Sequence, residues 1–315
     1  MSDKKVIVLA IGGNSLIKDN AHQTVPDQYE TTEETCGAIV KLLEQGHRVV
    51  ITHGNGPQVG FILRRTELAA HELHRVPLDS CGADTQGAIG YNLQMGLYNQ
   101  MRGWAKRIPA ATVVTQVVVD KADPAFLNPA KPIGSFMNEA TAREHEQKDG
   151  WTVFEDAGRG FRRVVPSPKP QEILEIDIIK SMIAQGFVVI AVGGGGIPVA
   201  IEADGRLVGI EAVIDKDHAS SLLARLIDAD VLLISTAVEK AAKNFGKPNQ
   251  AVIERMTVAE AKAAIEEKHF AAGSMLPKIQ AMIAFVEATG GEAILTDPPN
   301  LMRAVAGETG TRIVP

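Results

Sequence analysis

Short apolar runs recur along the chain without the polar alternation of a half-exposed strand. They are VIVLAI (6–11), RVVIT (48–52), TVVTQVVV (112–119), FVVIAV (187–192), DVLLIST (230–236) and EAILT (292–296). Runs of this length, several rich in Val and Ile, predict strands covered on both faces. Helical spacing fills the intervals. Ile39, Leu42 and Leu43 share one face of a segment closed by Gly46, a helix-ending residue type. Ile173, Ile176, Ile179 and Ile183 repeat at three and four. Leu222, Leu223 and Leu226 follow Asp217, which has the chemistry of an N-cap. Ile279, Met282, Ile283 and Val286 follow Pro277, suited to a first helical position. Strands alternating with helices predict an α/β chain with a mainly parallel sheet, whose ligands sit outside the carboxyl ends of the strands.

From Asp120 to Pro170 that rhythm is lost, and prolines crowd in at 124, 129, 132, 166, 168 and 170. A stretch of about 50 residues is too long for an ordinary loop, so it predicts an inserted subdomain or lid. The composition adds mostly exclusions. The 315 residues are 45% hydrophobic and 22% charged, with a net charge of −6, so no large basic field points to nucleic acid. Cys36 and Cys81 are too few for a disulfide framework or a cysteine-type zinc site. The apolar run near the start is too short for a secretory leader. No run reaches the roughly 18 apolar residues of a membrane span. The expectation is a cytoplasmic protein with small-molecule partners.

Strand ends are where chemistry is expected, and three of them carry glycine turns. These are IGGNS with Gly12, Gly13 and Asn14, THGNGPQVG with Gly54, Asn55, Gly56 and Gly60, and VGGGGIP with Gly193 to Gly196. Any one could be a plain tight turn. Three together point to a shared anion site built from backbone N–H groups. There is no G-x-x-x-x-G-K-[ST] loop, and the second turn spaces its glycines one residue too widely for a dinucleotide fingerprint. Most lysines are solvated surface charge, but Lys131 in NPAKPIG, Lys216 in IDKDHA and Lys278 in GSMLPK have unusual settings. Lys216 stands at a strand-to-helix turn, and Lys278 at a helix start where backbone N–H groups favour anions. Phosphoryl transfer calls for such groups, because the moving PO₃ unit must mainly be positioned and neutralised. Asp215 and Asp217 would hold Lys216 protonated, or contact Mg²⁺.

These residues sit in blocks that together resemble the carbamate kinases of the amino-acid-kinase superfamily. The blocks are IGGN, THGNGPQVG, GADTQGAIGY, TQVVVD, DPAFLNPAKPIG, EDAGRGFRRVVPSPKP, GGGGIPV, AVIDKDHASSLLA, NFGKP and GSMLPK, in that order over essentially the whole chain. The resemblance implies a three-layer α/β/α sandwich around a mainly parallel open sheet. The N-lobe, residues 1–222, would carry the phosphoryl acceptor and an inserted protruding subdomain at 121–168. The C-lobe, residues 223–315, would carry the nucleotide, and two copies would form a homodimer.

By the same resemblance, Gly12, Gly13, Asn14, Gly54, Asn55 and Gly56 would hold carbamate and the transferred phosphoryl group. Lys131, Lys216 and Lys278 would stabilise that group, and Asp217 would organise the lysines. Ser235, Thr236, Ala237, Val238, Asn244, Phe245, Gly246 and Met275, with Lys278, would line the nucleotide pocket. ATP or ADP would enter with Mg²⁺, and no residue is assigned to the metal directly. Val118 and Ala130 stand where members often have Glu and Thr, and a Thr-Asp pair often falls within the 235–237 stretch. The reaction implied is reversible transfer between ATP and carbamate, running toward ATP in catabolism. Two alternatives remain at this point: a relative acting on another small carboxylate or phosphonate, and a nucleotide-binding regulatory protein without turnover. A NAD-dependent oxidoreductase is the weaker rival.

Overall fold

The computed structural model describes residues 4–19, 21–155 and 160–315, with the backbone alone at Asn14 and Ser135. In chain order, β1 (Val6–Ile11) is followed by α1 (Val25–Glu44), β2 (Arg48–His53), α2 (Gly56–Leu68) and α3 (Leu78–Gln100). Next come β3 (Ala110–Thr112), β4 (Gln116–Val118), β5 (Lys131–Met137), α4 (Glu139–Asp149), β6 (Thr152–Glu155) and β7 (Phe161–Val165). Then follow β8 (Glu172–Ile173), α5 (Ile176–Ala184), β9 (Val188–Ile190), β10 (Ile197–Ile201), β11 (Leu207–Gly209) and α6 (Lys216–Leu226). The remaining elements are β12 (Val231–Ser235), β13 (Ala242–Lys243), β14 (Ala251–Val252), β15 (Arg255–Thr257), α7 (Val258–Glu266), α8 (Met275–Thr289), β16 (Glu292–Thr296), α9 (Leu301–Val305) and β17 (Thr311–Val314).

The principal sheet has the order β15-β17-β16-β12-β1-β2-β9-β3. Its pairings are parallel except where β16 meets β17. The unalternated runs are explained by what covers them. Val8, Ala10, Val50 and Val189 point into a core shared with Ile179 and Ile183 of α5, Leu222 and Leu223 of α6, and Ile279 and Met282 of α8. Ile7, Leu9, Ile11 and Ile51 point the other way, into Ile39 and Leu42 of α1, Ile89, Leu93 and Leu97 of α3, and Leu301 of α9. Alternate residues thus feed two cores, giving the helix–sheet–helix layering that a doubly covered strand requires.

A second sheet, β11-β10-β4-β8, and a third, β5-β7-β6, stand apart from the first. The third is antiparallel throughout and, with α4, gives structure to the proline-rich stretch that has no clear periodicity. Residues 156–159 of the EDAGRGFRRVVPSPKP block lie outside the described residues.

Four local readings change. The run TVVTQVVV is two strands in two sheets, because the chain turns at Thr115, where the buried Gln86 side chain bonds the backbone N–H and C=O. Ile173 lies in β8, and the helix starts after it, at Ile176. Helix α6 is capped by Asp215, whose carboxylate accepts from the N–H groups of Asp217 and His218, so Asp217 is left free to face elsewhere. Helix α8 opens two residues before Pro277, at Met275.

Leu93 on α3 is fully buried against α1 and the sheet. Leu93→Ala should lower the unfolding free energy by about 2–5 kcal/mol through lost burial and a residual cavity, read from denaturant unfolding at unchanged m-value.

Candidate active site

The carboxyl ends of β1, β2 and β12 converge on a cavity of about 390 Å³. Gly12, Gly13, Gly54, Asn55 and Gly56 line it together with Lys131, Asp215, Lys216, Asp217 and Lys278. Lys131 arrives on β5, Lys216 on the first turn of α6, and Lys278 on the first turn of α8. Asn14 lies in the turn Gly13–Ser15, with its side chain outside what the structure describes.

Asp217 is the hub. Its Oδ1 accepts from Lys216 Nζ at 2.6 Å and its Oδ2 from Lys278 Nζ at 2.8 Å. Lys131 Nζ donates to Asp215 Oδ2 at 2.7 Å. Three ammonium groups therefore face two carboxylates. With all five charged, the wall keeps one net positive charge, which suits it to an anion. Two helices also point their starts at this space: α2 begins at Gly56 and α8 at Met275, and neither has a side-chain N-cap bond. Their first N–H groups add positive partial charge to the same wall. Gly54 packs closely on the Lys216 stem, where a Cβ would lie 3.2 Å from Lys216 Cδ.

The two aspartates act on Lys216 unequally: Asp217 pairs with it directly, while Asp215 pairs with Lys131 and adds a smaller attraction. Burial pushes the Lys216 pKa below its ordinary value, and the attraction of Asp217 only partly opposes this, with Lys278 adding repulsion. Burial would raise the Asp217 carboxyl, but Lys216 and Lys278 more than offset it and hold it down. At Asp215, burial is likewise outweighed by Lys131, leaving its pKa well below the carboxylate range. Lys216 is thus a desolvated ammonium that gains when a second anion arrives.

A smaller cavity of about 200 Å³ adjoins this one, and Thr236, Ala237, Ser274 and Lys278 line both. Of the residues expected at a nucleotide, Thr236, Ala237, Val238, Phe245, Met275 and Lys278 line the smaller space. Ser235 lines the larger one. Asn244 and Gly246 are not in the lining, although Asn244 Oδ1 lies 3.0 Å from His269 Nδ1, on a residue that is. Lys240, His269 and Phe270 also line it and carry no sequence signal. Phe245 is 70% exposed, an apolar ring at the mouth of the slot.

Two further residues stand in the GADTQGAIGY block, where neither has a role of its own assigned from the sequence. Thr85 Oγ1 accepts from Asn55 Nδ2 at 2.8 Å, and Gln86 ties down Thr115 and Gly193. The available signal was a polar residue in the buried stripe Leu78, Cys81, Thr85, Ile89, Leu93. Among the described residues, no group of three or more His, Cys, Asp or Glu could hold a metal ion, and no helix is long and apolar enough to cross a membrane.

The amino acid kinase family model matches residues 5–297. The chain belongs to that family. It is 48% identical to the carbamate kinase-like protein YahI of Escherichia coli (strain K12), over 99% of each chain. It is 48% identical to the carbamate kinase of Clostridium perfringens (strain 13 / Type A), over 98% of this chain and 99% of the other. In three dimensions it matches the carbamate kinase from Giardia lamblia bound to AMP-PNP with a TM-score of 0.92. That match has 41% identity and covers 100% of this chain and 99% of that one. The sandwich seen here is thus the amino-acid-kinase fold.

His53, at the end of β2, is fully buried beside the second glycine turn. Nδ1 lies 3.0 Å from Gly54 O and Nε2 has no partner among the described residues. Burial is the main cause of a pKa pushed down to about 4, with Lys216 adding to it and the Gly54 bond opposing. The unfolded chain then binds the extra proton first. Stability should be full above about pH 6.5 and fall by roughly 3 kcal/mol as pH drops through 4. The Asp215 and Asp217 contributions, from depressed pKa values, should vanish only below the ordinary carboxylate range. Denaturant unfolding against pH checks this, and His53→Gln should reduce the pH 4–6.5 limb, leaving the share of His47 and His218, whose burial also lowers their pKa values.

Proposed function

We propose that the chain is a carbamate kinase, exchanging a phosphoryl group between carbamoyl phosphate and ADP, with ATP and carbamate as the products. The observation that carries this is the Asp217 carboxylate bridging Lys216 and Lys278, with Lys131 on Asp215, in one cavity edged by the Gly12 and Gly54 turns. The near full-length likeness to carbamate kinases supports the choice of acceptor.

Carbamate is a small planar anion with few handles. Gly12, Gly13, Asn55 and Gly56 would hold it through backbone N–H groups, each charge-assisted bond contributing roughly 1.5–3 kcal/mol, whereas the Gly54 N–H donates to Ile11 O at 3.1 Å and shapes the turn instead. In the catabolic direction, a β-phosphate oxygen of ADP attacks the phosphorus of carbamoyl phosphate in line. The P–O bond to the carbamate breaks, and carbamate leaves with that electron pair. Lys131, Lys216 and Lys278 neutralise charge on the equatorial oxygens and on the leaving group. Asp217 keeps two of these ammonium groups aimed at one point, and no covalent enzyme intermediate is needed. ADP would take the smaller cavity, its base against Val238, Phe245 and Met275. Mg²⁺ enters as part of the nucleotide substrate. The family likeness is what supports a homodimer.

ATP formation from ADP and carbamoyl phosphate by the purified protein tests the reading. Saturable turnover is expected. Turnover only with another acyl phosphate would move the acceptor, and nucleotide binding without any transfer would leave a regulatory protein. Lys216→Ala should lower kcat by about 10²–10³, the loss expected for one preorganised charge-stabilising group; near-normal turnover would contradict its role.

A further inference from the structure

Thr85 and Gln86 are neighbours on α3, 0% and 1% exposed, and neither lines the cavities. They nonetheless hold two of the turns from which the larger one is built. Asn55 Nδ2 donates to Thr85 Oγ1 at 2.8 Å, and that hydroxyl donates to Gly82 O at 2.7 Å, which leaves a lone pair for Asn55. Gln86 Nε2 donates to Gly193 O at 2.9 Å and Thr115 O at 3.1 Å, while Oε1 accepts from Thr115 N at 2.8 Å. Thr115 Oγ1 in turn accepts from Val192 N at 3.0 Å.

The turn so anchored is strained and tightly wedged. Val192 has φ +54°, a left-handed conformation that a β-branched residue adopts only when its surroundings enforce it. A Cβ on Gly194 would lie 2.3 Å from Asn55 Nδ2, and one on Gly195 would lie 2.3 Å from Ile214 O. The turn therefore fills the space between Asn55, on the acceptor side, and Ile214, which leads directly into Asp215 and Lys216. Moving it changes the separation of those two walls.

We infer that Thr85 and Gln86 are positioning residues for the phosphoryl acceptor. Thr85 sets the orientation of Asn55, and Gln86 sets the Gly193–Gly195 wedge that gauges the distance from Asn55 to the lysine cluster. Their influence falls on the acceptor side, because none of these hydrogen bonds reaches a residue lining the smaller cavity. The inference rests on the proposed carbamate kinase reaction. A misplacement of about 1 Å at a reacting centre is enough to cost about 10²-fold in rate.

Steady-state kinetics of ATP formation test it, with carbamoyl phosphate and ADP varied separately. Thr85→Val keeps the shape and removes the acceptor oxygen. It should raise KM for carbamoyl phosphate and lower kcat, together reducing kcat/KM by about 10–10²-fold, with KM for ADP within about twofold of wild type. Thr85→Ser should restore most of the loss. Gln86→Glu loses its N–H donors at neutral pH and should recover activity as pH falls, because the protonated carboxyl regains one donor. Should Gln86→Glu fail to fold, the Thr85 pair decides alone. Acceptor kinetics unchanged in Thr85→Val, or an equal rise in the KM for ADP, overturns the positioning role while the kinase reading stands. Wild-type protein that makes no ATP from carbamoyl phosphate overturns the reading and the inference with it.

Discussion

One buried carboxylate holding two ammonium groups is the constraint on which the rest of the site depends. Lys216 and Lys278 repel one another, and both leave water to reach the cavity. Without Asp217 between them, the two would separate or one would lose its proton. The bridge keeps both charges in place before a substrate arrives, so little reorganisation is left for the moment of transfer. The fold serves this arrangement. Asp215 caps α6, which frees Asp217 from capping and turns it toward the lysines. The same Asp215 anchors Lys131, so one short segment, Asp215 to Asp217, gathers charges from three separate elements.

The glycine turns supply the complementary half. They bring backbone N–H groups to the cavity without adding formal charge, and they let side chains approach where a Cβ would obstruct. Asn55 lying against Gly194, where a Cβ would sit 2.3 Å from its Nδ2, is the plainest instance. The desolvated Lys216 and the neutral His53 beside the Gly54 turn show how dry this corner is. In such a place a charge–charge contact is worth more than it would be in solvent.

Much of this was legible in the sequence, for physical reasons. Unalternated apolar runs this short and this rich in Val and Ile favour strands covered on both sides, and β1, β2, β12 and β16 follow them closely. Glycines at strand ends and lysines at helix starts are local signals, and they pointed at the residues now seen around one cavity. What the sequence did not show is long-range. The break at Thr115 depends on a glutamine 29 residues away in the chain, so TVVTQVVV read as one strand. The cap of α6 fell on Asp215, because two aspartates bracket Lys216 and helical spacing cannot choose between them. The pairing of Lys131 with Asp215 spans 84 residues, and no pattern in either neighbourhood announces it. The strands within 131–165 are short and mostly half-buried or exposed, so they carry no sustained apolar alternation for periodicity to reveal.

Thr236, Ala237, Ser274 and Lys278 are a party wall, each belonging to both chambers. A molecule seated in one chamber fixes the surface that the other presents. Any factor by which one guest changes the affinity of its neighbour through that wall must be returned in equal measure.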